Sequence, residues 1–377
     1  MLWSVLKHAD PRRLELAVAF LEPGPFEDEV RKLGVRTFAV PAGRLRQLRA
    51  GGAAVRRLAR IIRAEEPDLI LNWIAKAQLY GAPAAAHVGR ADSVVWWQHG
   101  VPDGHWLDRA ATALPARAVG CSSRASAIAQ AAWKPRRRTF VVHPGVDTER
   151  VPGIERAALG IPDGRPIIGI AGRLQPDKGQ HRFLDALRRV HDAGLRAHGL
   201  IVGGSAHGLS PAYEQQVRAL VRQLRLEDWV TMVGQVPDAR PYIAAMDVLV
   251  SASANESFGM VLVEALVQGV PVVAAAGGGP LEIVDPGVTG LLVPRPGPRL
   301  LAAAAGELLA DQPRRLQMAA AARRAPVEHF GIPAMVETLE TRLRALVTNG
   351  TAVQTGWERR RRKRARRSMP RRRASLC

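Results

Sequence analysis

Two cations stand five residues apart in a turn that follows an apolar strand, within the segment GRLQPDKG of residues 172–179. Open α/β sheets bind their ligands at the carboxyl ends of the strands. At such an end, beside the start of a helix, Arg173 and Lys178 would suit a diphosphate. A basic turn that makes only surface ion pairs has the same composition, so this segment alone leaves both interpretations open.

Two glutamates eight residues apart belong to the segment ESFGMVLVEA of residues 256–265. A strand leads into a loop that delivers Glu256 to the start of a helix. Backbone N–H groups from Ser257 to Val261 would be free there to hold phosphate oxygens. Glu264 lies about two turns further on, where its carboxylate could accept hydrogen bonds from ribose hydroxyls. For an isolated pair, an acid favoured by the helix dipole is a sufficient explanation.

A third segment, GGGPLEIV over residues 277–284, follows another apolar strand. Its glycines would let the backbone come close to a ligand, and Glu282 could face the same cleft. A structural turn explains the glycines equally well.

Taken in order, these segments resemble the pattern of glycosyltransferase family 4. The pattern also includes HPGVD at 143–147, LIVGG at 200–204, VG at 233–234 and GVTGLLVP at 287–294, so the resemblance covers roughly residues 140–295. The family has the GT-B architecture, an α/β fold in which two Rossmann-like, doubly wound domains face each other across a cleft. The resemblance implies sugar transfer from a nucleotide-diphosphate donor, with retention of configuration and with no cofactor or essential metal.

The resemblance also implies catalytic residues. Arg173 and Lys178 would neutralise the donor diphosphate, where charge builds in the transition state, and Glu256 would lie near the donor sugar. His99, in the segment WWQHG, resembles the family's histidine that touches the donor sugar, although an isolated histidine after a strand is more often structural. Ser122 matches the family's serine after a later strand, with helix capping equally open.

The donor-binding residues implied by the family pattern come from three stretches. They are Gly172, then Gly234 and Val236 at the nucleobase edge, and then Ser257, Phe258, Gly259, Met260, Val261 and the ribose ligand Glu264. No metal ligands are implied.

Short apolar runs that alternate with helical stretches must position these residues. They cover residues 16–20, 35–40, 68–72, 93–97, 118–121, 139–142, 166–171, 200–202, 230–233, 248–251, 271–275 and 291–293. Such alternation predicts parallel sheets covered on both faces. We predict an acceptor-side domain over 1–150, a donor-binding domain over 151–330 and a helix over 331–350 that returns toward the first domain.

The amino-terminal segment departs from the family pattern. The family opens with a strand and a glycine-rich loop that contacts the donor phosphate and the acceptor. Residues 1–6 already have the pattern of the helix that follows this loop. We therefore expect the first strand and loop to be missing, with acceptor binding affected.

The net charge of +20 is unevenly distributed, because residues 357–377 hold eleven Lys or Arg and one Glu. We predict a basic, disordered tail over 351–377. It could contact an anionic membrane, and nothing in it specifies a nucleic acid. The basic helical stretch over 44–63 is either a solvated surface helix or a face for an anionic membrane or a lipid-linked acceptor.

Several features of the sequence indicate the cellular compartment of the protein. No run of about 18 apolar residues occurs, the amino terminus lacks a signal-peptide pattern, and Cys121 and Cys377 are the only cysteines. A reducing compartment is indicated. We expect a cytoplasmic protein, with a peripheral position at the inner face of the membrane as an open alternative.

Three classes of function remain. The first is a retaining glycosyltransferase of polysaccharide, lipopolysaccharide or glycolipid synthesis, whose acceptor is a saccharide or a lipid-linked molecule. The second is a sugar-nucleotide epimerase of the same architecture, which would need acid and base groups for elimination. The third is a non-catalytic nucleotide-sugar-binding protein. The ordered cations and glutamates favour sugar transfer.

Overall fold

The computed structural model describes residues 1–134, 137–205, 211–325 and 327–348. Within these ranges, parallel strands alternate with helices in two Rossmann-like domains, and the predicted α/β fold class is confirmed. The predicted tail over 351–377 lies outside the described residues. No helix in the described part of the chain combines the length and apolar content needed to cross a bilayer.

The first domain contains two parallel sheets. Its strands are β1 (Ala17–Phe20), β2 (Arg36–Ala39), β3 (Ile70–Asn72), β4 (Val94–Gln98), β5 (Ala118–Cys121) and β6 (Arg138–Val141). Its helices are α1 (Leu2–His8), α2 (Pro25–Lys32), α3 (Leu48–Glu65), α4 (Ala75–His87), α5 (Trp106–Ala113) and α6 (Arg124–Trp133). β1 pairs with β2, and a separate sheet has the order β3-β4-β5-β6.

The four-stranded sheet forms because β4 is apolar over its first four residues, before the terminal Gln98. All five of its residues are buried, which is typical of a parallel strand covered on both faces. Trp97 stacks on Trp73 with ring centroids 5.2 Å apart. On one face of the domain, Val94 packs with α3 and α4, and on the other Trp97 packs with α1.

The second domain has one six-stranded parallel sheet. Its strands are β7 (Ile167–Ala171), β8 (His198–Val202), β9 (Val230–Gly234), β10 (Val248–Ser251), β11 (Val272–Ala275) and β12 (Gly290–Val293). Its helices are α7 (Gln180–Asp192), α8 (Pro211–Gln223), α9 (Arg240–Ala244), α10 (Met260–Gln268), α11 (Pro280–Ile283), α12 (Pro298–Ala310) and α13 (Gln312–Arg324). The strand order is β12-β11-β10-β7-β8-β9.

Side chains of the central strands in this sheet alternate between two apolar clusters. Ile168 and Val248 pack with α7, α8 and α12, whereas Ile167 and Leu249 pack with α10 on the opposite face. A period of two residues places neighbouring side chains on opposite faces. The sheet is therefore buried on both sides, and its strand ends are the places where polar groups can reach a ligand.

A final helix, α14, covers residues 332–348 and packs on the first domain. Its residues Met335 and Leu339 join the cluster of Val5, Trp97 and Val142. In the segment that connects the two domains, the Arg156 guanidinium donates a hydrogen bond to the Asp247 carboxylate at 3.0 Å. This segment is therefore attached to the second domain.

Helix α3 contains the basic stretch. Ala54, Leu58 and Ile62 are buried on one face, and Arg56 and Arg60 are exposed on the other. A solvated basic face is therefore present, as in the simpler of the two interpretations.

Candidate active site

The candidate site lies where the order of strands reverses in the six-stranded sheet. From β7 the chain continues to β8 and β9 on one side, and then returns to β10 on the other side of β7. Because β7 and β10 are adjacent and parallel, their following loops open a crevice at the carboxyl edge, the usual ligand site in open α/β sheets. Arg173 and Lys178 follow β7, and Glu256 follows β10.

Glycines hold the loops of this edge against one another. A Cβ on Gly179 would lie 2.2 Å from the backbone oxygen of Ala252, and one on Gly278 would lie 2.0 Å from that of Glu256. Gly279 N–H donates to the Glu256 oxygen at 3.0 Å. These contacts leave no room for a side chain at Gly179 or Gly278. The loops after β7, β10 and β11 therefore pack directly against one another.

Lys178 and Glu256 form an ion pair across the crevice. Lys178 Nζ lies 2.8 Å from Glu256 Oε2, with 28% and 11% of the two side chains exposed. The structure thus brings together two of the four predicted catalytic residues. A diphosphate that binds Lys178 must share this ammonium with Glu256 or displace the carboxylate.

Arg173 remains open to a ligand. It is exposed, its backbone oxygen accepts a hydrogen bond from Gln180 Nε2 at 2.9 Å, and within the described ranges its guanidinium has no ion-pair partner. Gly172 precedes it with its N–H bonded to Val202 at 2.9 Å.

Helix α10 presents its amino end at the same edge. It begins at Met260, later than the sequence suggests, because Gly259 is the N-cap with φ +99° and no side chain caps the helix. Glu256 and Ser257 therefore belong to the preceding loop. The amides of Met260 and Val261 remain available to an anion at the positive end of the helix dipole.

Phe258 is oriented differently from the other residues of this stretch. Its side chain is 2% exposed and stacks on His143, with centroids 5.2 Å apart and planes 19° apart. The Phe330 ring also contacts the Phe258 ring, with centroids 5.4 Å apart. Phe258 can therefore offer only its backbone to a ligand, while its ring fixes the loop that carries Glu256.

Glu264 is half-buried, beside charged residues that the sequence patterns did not single out. Burial raises the pKa of Glu264, the neighbouring Asp238 carboxylate raises it further, and Arg240 opposes both. Arg240 is held by Asp238 at 2.9 Å and by Asp147 at 2.6 Å. Asp238 lies just before α9 and Arg240 is the first residue of that helix, a common surface pattern that carries little functional signal.

The proposed nucleobase edge lies at the end of β9. Gly234 has φ +82° and its oxygen accepts the Gly203 N–H at 2.9 Å. Val236 is half-buried and packs on the core.

His99 lies at the carboxyl end of β4. Burial lowers its pKa, the Trp73 backbone opposes the shift, and the positive amino terminus of Met1 lowers it further. Its Nε2 is buried with no hydrogen-bond partner in the described part of the chain. Ser122 donates to the His99 backbone oxygen at 3.1 Å, while Ser123, not Ser122, caps α6.

Glu282 joins the two domains. One carboxylate oxygen accepts the backbone N–H of Arg124 at 2.8 Å, and the other lies 3.0 Å from His143 Nε2. Burial favours the neutral acid, but the hydrogen bonds from His143, Ala125 and Arg124 together outweigh it, so the pKa of Glu282 is lowered. Glu282 is therefore an interdomain contact, which the glycine-rich segment alone could not indicate.

We expect Glu282→Ala to lower the free energy of unfolding by about 1 kcal/mol or somewhat more, because partly buried donors lose their acceptor. The lowered pKa means that the contact stabilises the fold at neutral pH and is lost as pH falls through that value. Denaturant unfolding at pH 7 measures the effect. Glu214→Ala, which removes a surface pair with Arg218, is the matched control. Equal losses in the two variants would contradict the interdomain role.

Two family models match the chain, one over each domain. The family model for glycosyltransferase family 4 matches residues 2–150, and that for glycosyl transferases group 1 matches residues 153–325. A D-inositol 3-phosphate glycosyltransferase from Kineococcus radiotolerans is 40% identical over 55% of this chain and 52% of its own length. A 2-deoxystreptamine N-acetyl-D-glucosaminyltransferase from Streptomyces fradiae is 34% identical over 53% of this chain and 47% of its own. The chain thus spans about half the length of the curated relatives it matches.

Solved structures extend the likeness over both domains. HepE of Anabaena, in complex with UDP-glucose, matches with a TM-score of 0.78 and 26% identity, covering 91% of this chain and 95% of that one. Sucrose-phosphate synthase from Thermosynechococcus elongatus shares the fold, with a TM-score of 0.71 and 23% identity over 90% and 88% of the two chains. Two Rossmann-like domains in the GT-B arrangement are common to these proteins.

Proposed function

Because the chain belongs to glycosyltransferase family 4, we propose that it transfers a sugar from a nucleotide-diphosphate donor to an acceptor, with retention of configuration. The observation that carries the proposal is the crevice between β7 and β10, where Lys178 and Glu256 meet 2.8 Å apart. A cation, a carboxylate and an uncapped helix terminus converge there, and each suits one part of a sugar diphosphate.

The proposed roles of the residues follow from where charge develops in the transition state. When the bond between the anomeric carbon and the phosphate oxygen breaks, its electrons pass to the diphosphate. Arg173, Lys178 and the amino end of α10 would stabilise this growing negative charge more strongly than the charge of the bound donor. Glu256 would lie beside the sugar, where the positive charge develops. His99, neutral because of its lowered pKa, would contact the sugar from the first domain.

We propose a uridine nucleotide as the donor because HepE was solved with UDP and UDP-glucose. The backbone near Gly234 and Val236 would contact the base and Glu264 the ribose. No cofactor or essential metal is proposed. The protein would act in the cytoplasm, and the exposed basic face of α3 supports peripheral contact with an anionic membrane and a lipid-linked acceptor.

A second candidate is a nucleotide-sugar-binding protein that does not transfer sugar. It is favoured by one observation, the division of the first-domain sheet between β1 and β3, on the side where an acceptor would bind.

A donor panel tests the proposal. UDP-, GDP- and ADP-sugars are incubated with the full chain, with and without EDTA, and products are followed by mass spectrometry. Release of nucleoside diphosphate from one donor, unaffected by EDTA, is expected. Tight binding without turnover of any donor would support the second candidate, and epimerised donor without transfer would indicate an isomerase.

We expect Glu264→Gln to weaken UDP binding by about tenfold to a hundredfold, as for a lost hydrogen bond to a charged group. Since the pKa of Glu264 is raised, the acceptor carboxylate is lost at a higher pH than for an ordinary glutamate. Affinity of the unsubstituted chain should therefore fall as pH drops through that value, and the variant should lack this dependence. Calorimetry across pH measures both.

Glu214→Gln, on the surface of α8, provides the control and should leave UDP affinity unchanged. Because Glu264→Gln removes a partly buried charge, it should not lower stability. Unaltered affinity in Glu264→Gln would remove this residue from the site.

A further inference from the structure

A polar cavity of about 400 Å³ lies beside β6, the outermost strand of the four-stranded sheet. Arg124 of α6, Arg342 of α14 and His143 line it, together with Thr139 and three apolar residues. We call it the β6 cavity. Among the described residues, none from the loops after β7 and β10 lines this cavity. It is therefore separate from the candidate active site.

The β6 cavity carries positive charge that its own wall does not neutralise. No Asp or Glu of the described residues lines it. Arg342 is exposed and has no ion-pair partner in the part of the chain that the structure describes. The Arg124 side chain is 80% exposed, and its guanidinium lies 3.9 Å from the Glu282 carboxylate. Since that distance is too long for a hydrogen bond, both guanidiniums keep their donors for a ligand.

A phosphate monoester suits this set of donors. Each guanidinium can bond two phosphate oxygens at once, and the Thr139 hydroxyl can donate to another. Because β6 is the last strand of its sheet, its outer N–H groups have no strand partner within the described chain and add further donors. A carboxylate, with two oxygens and one charge, would leave part of this set unused.

Glu282 uses two of the same residues from the other domain. Its carboxylate lies 3.0 Å from His143 Nε2 and accepts the backbone N–H of Arg124 at 2.8 Å. Only 12% of the Glu282 side chain is exposed, so solvent screens its charge less than at an open surface. An anion in the β6 cavity would therefore repel Glu282. Occupation of the cavity and the interdomain contact should oppose each other.

We propose that the β6 cavity binds a phosphate monoester through Arg124, Arg342 and His143. The bound phosphate loosens the contact between Glu282 and α6, because both anions draw on the same donors. Such a ligand would act on the junction between the domains from outside the candidate active site. The inference does not depend on sugar transfer, since binding and loosening are both measured without a sugar donor.

Binding is tested with inorganic phosphate and the full chain, by calorimetry and by the NMR resonances of the His143 ring. We expect Arg342→Gln to weaken phosphate binding by about tenfold or more, as for lost hydrogen bonds between charged groups. Arg344→Gln is the matched control, because Arg344 is an exposed arginine of the same helix that does not line the cavity. Arg173→Ala should also retain phosphate affinity and the shift of the His143 resonances.

The opposition between the two anions is tested separately. Glu282→Gln removes the like charge and keeps an oxygen for the Arg124 N–H, so it should bind phosphate about threefold to tenfold more tightly. In the unsubstituted chain, phosphate should speed hydrogen exchange of the Arg124 and Ala125 amides by about threefold or more. Weaker phosphate binding in Glu282→Gln, or slower exchange, would contradict the loosening.

Two further probes identify the source of the phosphate. Tighter binding of glycerol 3-phosphate than of inorganic phosphate, lost in Arg342→Gln, would support a soluble ester. Retention by vesicles with phosphatidic acid, lost in Arg342→Gln and kept in Arg344→Gln, would support a lipid headgroup. Equal phosphate affinity in these two variants would overturn the site. Loss of phosphate binding in Arg173→Ala alone would assign it to the crevice between β7 and β10, again against the proposal.

Discussion

Arg173→Ala should lower kcat/KM for sugar transfer by about a hundredfold or more, the usual effect of removing one fixed charge from the transition state. Arg173 is exposed, and within the described chain its guanidinium has no ion-pair partner, so its removal should leave the midpoint of thermal unfolding unchanged. Initial rates over a range of donor concentration, measured with the donor identified by the panel, provide the test.

The matched control is Arg188→Ala, which removes a surface arginine paired with Asp192 on α7. It should keep the kinetics of the unsubstituted chain. If Arg173→Ala behaved like Arg188→Ala, Arg173 would not contact the diphosphate, and Lys178 with the amino end of α10 would have to carry that charge alone.

Glu256→Gln should lower kcat by about a hundredfold while UDP affinity is retained or increases. The carboxylate is expected beside the sugar, where it would act on the positive charge of the transition state. In the ligand-free protein it also holds Lys178 at 2.8 Å. The amide variant therefore releases the ammonium for phosphate, and binding and turnover should change in opposite directions.

Rapid-quench kinetics and calorimetry with UDP separate the two effects of Glu256→Gln. Asp177→Asn supplies a control on the same turn as Lys178, because Asp177 is exposed. A parallel loss of UDP affinity and kcat in Glu256→Gln would contradict a role beside the sugar and place Glu256 in ground-state binding.

Much of the fold could be predicted because its signals are local. Continuous apolar runs such as Val248–Ser251 are buried parallel strands, and Gly269 ends α10 in the left-handed conformation that glycine favours. The position of Glu256 beside Lys178 also followed from the rule that ligands gather at the carboxyl edge. Their direct ion pair did not, since it depends on side-chain geometry after the loops have packed.

The contacts that escaped prediction join parts of the chain far apart in sequence. Phe258 has the pattern of a ligand-loop residue, yet its ring is taken up by His143 and Phe330. Glu282 accepts hydrogen bonds from Arg124 and His143, and the charges around Glu264 come from residues at the start of α9. Each result depends on tertiary packing, to which periodicity and motif spacing are insensitive.

The contact of Glu282 with the first domain has a thermodynamic consequence. Glu282 stands only a few residues beyond Gly278 and Gly279, whose backbones touch those of Glu256 and Phe258. Movement of α6 would therefore be transmitted through α11 to the loop of Glu256, the proposed donor loop. By linkage, an acceptor that shifts α6 must change nucleotide affinity by the factor by which nucleotide changes acceptor affinity. The two substrates would then be coupled through protein contacts even where they do not touch.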